Sequence, residues 1–145
     1  MPDLPRYWTP AFIDRFVDAL NSDPEFQREA SRFSDVIVLQ CLDAPGGKDV
    51  RAAYSIDAGY VTVEVTAEDA PSGRLRDRTF DSSRAMARAT APYGIWKDLD
   101  TGTLSVLGAL GSPEYHIDGP RLKIMMNLGI MNQMSRVASG VPKTY

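Results

Sequence analysis

Few residues in this sequence could carry chemistry, and their spacing does not assemble them. His116 is the one histidine and Cys41 the one cysteine. A zinc site takes about three or four nitrogen, sulfur or oxygen ligands. One histidine and one cysteine, far apart in the chain, give no ligand spacing, so no metal is expected. A serine–histidine–acid triad would have to use His116, and no Gly-x-Ser-x-Gly elbow is present. Between Tyr115 and Ile117, His116 reads as a sheet residue with an ordinary hydrogen bond. Cys41 lies in the run Val36-Ile37-Val38-Leu39-Gln40-Cys41-Leu42 and reads as a buried small apolar residue. Asp98 and Asp100, beside Gly102, read as solvent residues at a helix end. Asp14 and Tyr7 could pair as an acid and its hydrogen-bond partner, but nothing in the sequence brings them together. Gly46-Gly47-Lys48-Asp49 lacks the length and the following helix of a phosphate loop. Gly108-Ala109-Leu110-Gly111 is a poor dinucleotide fingerprint, because no strand precedes it at the right place. No cofactor and no catalytic residue are expected.

Size and charge narrow the classes further. A chain of 145 residues is the size of one domain, here expected to span 1–145. The hydrophobic fraction of 43% and charged fraction of 24% are near globular averages, which argues against disordered and fibrous classes. The net charge is −3, whereas a nucleic-acid module is usually basic or carries a basic stripe. The densest basic run is Arg74, Arg76, Arg78, Arg84 and Arg88, interrupted by Asp77 and Asp81. It reads as a solvated loop of mixed charge, with a local site for an acidic headgroup as the lesser alternative. No nucleic acid is expected as a partner. A single cysteine cannot form a disulfide within the chain and suits a reducing compartment. The start, Met1-Pro2-Asp3-Leu4-Pro5-Arg6, lacks the basic residues and apolar run of a signal peptide. No stretch approaches the ~18 apolar residues of a membrane span. A cytoplasmic location is expected.

The elements that would position any site follow from the pattern. Thr9 can cap a helix and Pro10 suits its first turn. Phe12, Ile13, Phe16, Val17 and Leu20 then share one face, and Asn21-Ser22 breaks the helix. Asp23-Pro24 starts a second, short helix through Phe26, Ala30 and Phe33. Residues 35–42 read as a strand covered on both faces or central in a sheet. Val50 to Asp57 alternates, Ala58-Gly59 closes a tight hairpin, and Tyr60 to Thr66 alternates with Val61, Val63 and Val65 inward. Glu68 to Ser83 is a charged connection. Arg84 to Thr90 has the composition of a helix yet also alternates. Tyr93 to Leu99 reads as a helix with Trp96 and Leu99 inward, stopped by Gly102. Leu104 to Leu110 is a short apolar segment, Tyr115 to Ile117 a short strand and Asp118-Gly119-Pro120 a turn. One last helix is expected from Arg121 to about Ser139. Grouped strands with helices before and after mean α+β, with helices on one face of a mostly antiparallel sheet.

The last helix is the anomaly. Leu122, Met125, Met126, Gly129, Ile130, Met134 and Val137 form one stripe, and Ile124, Leu128 and Met131 a second. A helix apolar on more than one side is buried on more than one side. Four of the six methionines lie here, and methionine fills irregular space on adaptable binding surfaces. The helix is either sandwiched between the core and a dimer partner, part of a Met-rich core, or the wall of an apolar cavity. Each lipid methylene buried in such a cavity contributes roughly 0.8 kcal/mol, so a lipid carrier needs few polar contacts and no catalytic signature.

The run Ala87-Arg88-Ala89-Thr90-Ala91-Pro92-Tyr93-Gly94-Ile95-Trp96-Lys97-Asp98-Leu99-Asp100-Thr101-Gly102 resembles the centre of the sterol carrier protein type 2 (sterol transfer) family. There a strand leads into a helix with a central tryptophan that ends in glycine. Leu104 to Leu110 resembles that family's next short helix. Tyr115-His116-Ile117-Asp118-Gly119 resembles its following strand and turn, with Pro120 where aspartate is frequent. The first helix, the meander and the apolar last helix agree in order, so the resemblance covers nearly the whole chain. The long Glu68–Ser83 connection and the Ala91-Pro92 start of the tryptophan helix depart from it.

The resemblance implies a five-stranded sheet, a strand rather than a helix at Arg84–Thr90, and an apolar tunnel between sheet and helices. It implies non-catalytic binding or transfer of a hydrophobic ligand such as a fatty acid, fatty acyl-CoA or sterol-like lipid, without a cofactor. Transient membrane contact, and either a monomer or a homodimer through the last helix, fit that reading. By position, Phe12, Phe16, Trp96, Leu99, Leu107, Met125, Met126, Ile130 and Met134 would line the tunnel. Two alternatives compete. One is a small isomerase or cyclase using Asp14 with a tyrosine or His116. The other is a structural dimerisation module.

Overall fold

Thr9 and Pro10 start the first helix, α1 (Pro10–Ser22). Thr9 is extended, and its hydroxyl accepts from the Phe12 N–H at 3.4 Å, which satisfies one of the donors that a helix start leaves free. Phe12, Ile13, Phe16 and Leu20 are buried on its inner face. Asp23 caps α2 (Pro24–Glu29) by accepting from Phe26 N–H at 2.9 Å. The computed structural model describes residues 3–145; Met1 and Pro2, which belong to the N-terminal stretch read above against a signal peptide, lie outside the described residues.

A meander follows: β1 (Ser34–Ala44), β2 (Lys48–Asp57) and β3 (Tyr60–Asp69). Ala58 and Gly59 both take positive φ, 48° and 91°, as a tight two-residue hairpin demands. The connection holds one turn of helix, α3 (Gly73–Arg76), before β4 (Ala87–Pro92). Then come α4 (Tyr93–Asp100), α5 (Val106–Leu110), β5 (His116–Asp118), α6 (Arg121–Met126) and α7 (Leu128–Gly140). No helix among the described residues is long and apolar enough to cross a membrane.

The strand order is β3-β2-β1-β4-β5. The expectation of a mostly antiparallel sheet needs correcting: the sheet is mixed. β1–β2, β2–β3 and β4–β5 are antiparallel, but the central pair β1–β4 is parallel, with Ile37 opposite Ala87 and Cys41 opposite Ala91. The connection after β3 is long enough to return the chain to the end where β1 began, so β4 runs in the same direction. In β4, Ala87, Ala89 and Ala91 are buried while Arg88 and Thr90 are half-buried. That period of two outweighs the helical composition of the segment. Gly119, at φ 134°, ends β5 where a Cβ would lie 2.3 Å from the Met86 carbonyl oxygen, so only glycine fits this turn.

Two further expectations change. The single last helix is two, α6 and α7, because the chain leaves helical geometry at Asn127 (φ −113°, ψ 17°), whose side-chain amide donates back to the Lys123 carbonyl at 2.8 Å. The break falls across both stripes. Ile130, Met131, Met134 and Val137 of α7 are buried within the chain, whereas Leu122 and Met126 of α6 are 74% and 76% exposed.

The arginine run is solvated at Arg74 and Arg84, whose side chains are 82% and 81% exposed, but Arg76 and Arg88 are held in ion pairs. Arg76 donates from Nε and Nη2 to the two carboxylate oxygens of Asp49, at 2.8 and 2.9 Å, and from Nη2 to Asp43 at 3.0 Å. Asp49 is wholly buried and also accepts from the Ser72 and Asp43 N–H groups. Arg88 donates to Asp118 and to the Arg78 carbonyl oxygen. The connection is therefore tied to β1 and β2 by the charge of Arg76 and to β4 by the Arg78 carbonyl.

Candidate functional site

An apolar cavity of about 60 Å³ lies between the helices and one face of the sheet. Phe12, Ile13 and Phe16 of α1 line it, with Ile37 and Leu39 of β1, Tyr54 of β2, Trp96 and Leu99 of α4, and Met131 and Met134 of α7. Ile37 and Leu39 are two apart on β1, so both point to the helical face. The rings pack edge to face or offset, as their quadrupoles favour: Phe16 lies 5.5 Å from Tyr54 in a T-shape, Phe12 5.9 Å from Phe16, and Trp8 5.1 Å from Trp96. The Trp96 indole N–H donates to the carbonyls of Gln40 and Ala91 at 2.9 and 3.1 Å. One side chain thus ties α4 to β1 and β4.

One end of the cavity is polar. The segment before α1 and the segment after α7 clasp each other there: Tyr7 N–H donates to Thr144 O at 2.8 Å and Thr144 N–H to Pro5 O at 2.9 Å. The clasp places Tyr7 and Trp8 opposite Lys143 and Tyr145. Asp100, at the end of α4, is 4% exposed and lines the cavity. Its Oδ2 accepts from Lys143 Nζ at 2.5 Å and from the Tyr145 hydroxyl. Lys143 also donates to Ala138 O at 2.8 Å, and its ammonium sits 5.4 Å from the ring centres of both Tyr7 and Phe12. Asp100 Oδ1 and Trp8 Nε1 are both buried and have no hydrogen-bond partner among the described residues. Trp8 holds φ 62°, a left-handed conformation that strains a bulky residue.

The Tyr7 hydroxyl donates to Trp96 O at 3.2 Å. Burial and then the Asp100 charge push its pKa well up, while the neighbouring Trp8 N–H pulls the other way. Tyr7, Trp8 and Asp100 all line the cavity. Burial and the hydrogen bond to Asp100 likewise raise the Tyr145 hydroxyl. Cys41 is fully buried, and burial pushes its thiol far up, followed by Asp49 and Asp43; that is the inert small core residue its run suggests.

Of the residues singled out from sequence, Phe12, Phe16, Trp96, Leu99 and Met134 meet around the cavity. Ile130 is buried but outside the lining. Leu107, Met125 and Met126 are 64%, 48% and 76% exposed and do not line it. For the methionines the reason is the break at Asn127, which ends α6 before α7 begins. For Leu107 it is the shortness of α5, where Val106 takes the inward position and Ala109 is buried. The expectation that Asp100 faces solvent is also corrected. Asp100 lies one turn beyond Trp96, so the two share a face, and that spacing was a usable signal. Met131 was present in the second stripe. Nothing in the sequence pointed to Lys143 or Tyr145. Asp14 and His116 are exposed, so the acid and base of the isomerase alternative do not meet at the cavity.

No protein-family model matches the chain, and comparison with curated proteins finds no match. Solved structures do match. A crystal structure of sterol carrier protein 2 superposes with a TM-score of 0.74 at 18% identity, over 94% of this chain and 99% of that one. A conserved hypothetical protein from Thermus thermophilus superposes with a TM-score of 0.70 at 18% identity, over 95% and 91%. A sec-alkyl sulfatase double mutant matches at a TM-score of 0.53 and 14% identity, over 94% of this chain but 17% of that far longer one. The shared element order extends over nearly the full length of the first two: this chain has the sterol carrier protein 2 fold.

Proposed function

We propose that this protein binds a hydrophobic ligand in the cavity beneath α1, α4 and α7 and passes it on without altering it. The observation that carries the reading is the cavity wall, built from aromatic and methionine side chains of α1, β2, α4 and α7 with Ile37 and Leu39 of β1. The likeness to sterol carrier protein 2 supports it. At about 60 Å³ the cavity is well below the ~300 Å³ of small-molecule pockets. A lipid therefore enters by displacing Met131 and Met134, whose unbranched side chains move at little energetic expense. Burial of roughly 0.8 kcal/mol per methylene then drives occupancy.

Native mass spectrometry of freshly purified protein, with lipid extraction, followed by titration with Nile red, tests this. Bound lipid or micromolar dye affinity is expected, and Leu99→Trp, which fills the cavity from α4, should weaken the dye about tenfold. Unchanged affinity in a folded variant would reject this cavity as the site.

α6 supplies the second half of the proposal. Leu122, Met125 and Met126 are exposed beside the exposed Arg121, with Lys123 paired to Asp35 at 2.8 Å, a composition suited to brief contact with an anionic bilayer. Leu122→Asp with Met126→Asp should slow dye transfer to anionic vesicles severalfold and leave dye affinity intact. Transfer at the original rate would remove α6 from the membrane contact.

A further inference from the structure

We infer that the cavity selects a ligand headed by a neutral hydroxyl, held between the Trp8 indole N–H and Asp100 Oδ1, over one headed by a carboxylate. The inference rests on the lipid-binding reading above. Its basis is that, of the three buried polar atoms without partners among the described residues, two, Trp8 Nε1 and Asp100 Oδ1, belong to residues lining one largely apolar cavity, while the third, the Tyr93 hydroxyl, does not. A buried donor or acceptor without a partner is expensive, and native proteins leave few of them. Here one donor and one acceptor of opposite character line a single space.

A hydroxyl satisfies both at once. It accepts from Trp8 Nε1 and donates to Asp100 Oδ1. A carboxylate cannot donate to Asp100, and it meets no cation in the cavity, because Lys143 lies behind the carboxylate on Oδ2 and is not part of the lining. An ether or ester head accepts from Trp8 but leaves Asp100 unsatisfied. The strain at Trp8 points the same way: a left-handed tryptophan at φ 62° persists only where the surroundings over-determine it, and here it brings the indole N–H to the polar end. The space, about 60 Å³, holds several waters at the roughly 10–15 Å³ each requires. In the empty protein a water can take the hydroxyl's place and be displaced by a group that repeats its hydrogen bonds.

Displacement of Nile red by dodecanol, dodecyl methyl ether and dodecanoate at neutral pH tests the assignment. Dodecanol should bind roughly tenfold or more tightly than either of the others, the effect of a hydrogen bond to a charged group. Trp8→Phe keeps an aromatic ring and removes the donor; the space it opens is common to all three chains, so the readout is the alcohol-to-ether ratio, which should shrink about threefold or more. Asp100→Asn should abolish the preference for alcohol over dodecanoate, and Trp8→Phe carries the test if that variant folds poorly. Equal affinities for the three chains, a preference for dodecanoate, or an alcohol preference untouched by Trp8→Phe would each overturn the headgroup site while leaving lipid binding in place. Failure of the dye and of every chain to bind would overturn the lipid-binding reading, and the headgroup site with it.

Discussion

Arg76→Met should lower the unfolding free energy by about 3 kcal/mol at neutral pH, the lower end of what breaking a buried ion pair costs. Asp49 has no exposed surface, while Arg76 is 30% exposed. The methionine replaces the packing of the arginine stem but not its two hydrogen bonds, and leaves a buried carboxylate with only the N–H groups of Ser72 and Asp43. Because Arg76 also holds Asp43, the loss reaches the irregular end of β1, where the register with β2 shifts between Cys41 and Ala44.

Acid should narrow the difference between the two proteins. Burial works to raise the Asp49 pKa, but Arg76 and the two backbone N–H groups outweigh it and bring it from 3.8 down to about 2. A carboxyl depressed in the folded state adds stability that is complete above its unfolded pKa and disappears as pH falls through its folded one. The stretch of pH from about 4 to about 2 should therefore remove about 2 kcal/mol from the native protein and less from the variant. Urea unfolding of both at neutral pH and near pH 2 checks this. A neutral-pH loss below about 1 kcal/mol would place the pair among ordinary surface bridges.

Local rules carried most of the fold in the sequence, because local chemistry dictates it. Thr9-Pro10 and Asp23-Pro24 begin helices where a cap and a first-turn proline belong, and Ala58-Gly59 closes the hairpin. The misreadings have two sources, contacts distant in sequence and a local helix break. β1 and β4 pair in parallel only because of where a seventeen-residue connection, 70–86, delivers the chain, and no periodicity within either strand encodes that. Grouping the apolar residues of 121–139 at helical spacing assumed one helix, and with the break at Asn127 Met125 and Met126 lie on the surface. The aromatic lining at Phe12, Phe16 and Trp96 was legible because each sits on the inward stripe of its own helix. The polar end was not. It joins Trp8, Asp100 and Lys143 from three separate segments, and Asp100 resembles any acid near a helix end until Lys143 and Tyr145 close over it.

Lys143→Met should be among the most damaging substitutions in the molecule, lowering stability by about 3–5 kcal/mol. The Lys143 and Asp100 side chains are 4% and 1% exposed, so neither has water to fall back on. Removing the ammonium leaves a carboxylate facing an apolar cavity with the Tyr145 hydroxyl as its one remaining side-chain donor. The ring faces of Tyr7 and Phe12 also lose their cation. The pair itself need not stabilise the fold, because two charges were desolvated to make it. Lys143→Met combined with Asp100→Leu should accordingly recover most of the loss, with a coupling between the two sites of about 2 kcal/mol or more. Chemical denaturation of the wild type, both single variants and the double variant closes that cycle. Additive losses would show the two charges to be energetically independent. Full recovery of stability would show that the ion pair does not hold the fold together, and the recovered double variant, folded but lacking Asp100 Oδ1, should bind dodecanol no better than dodecyl methyl ether.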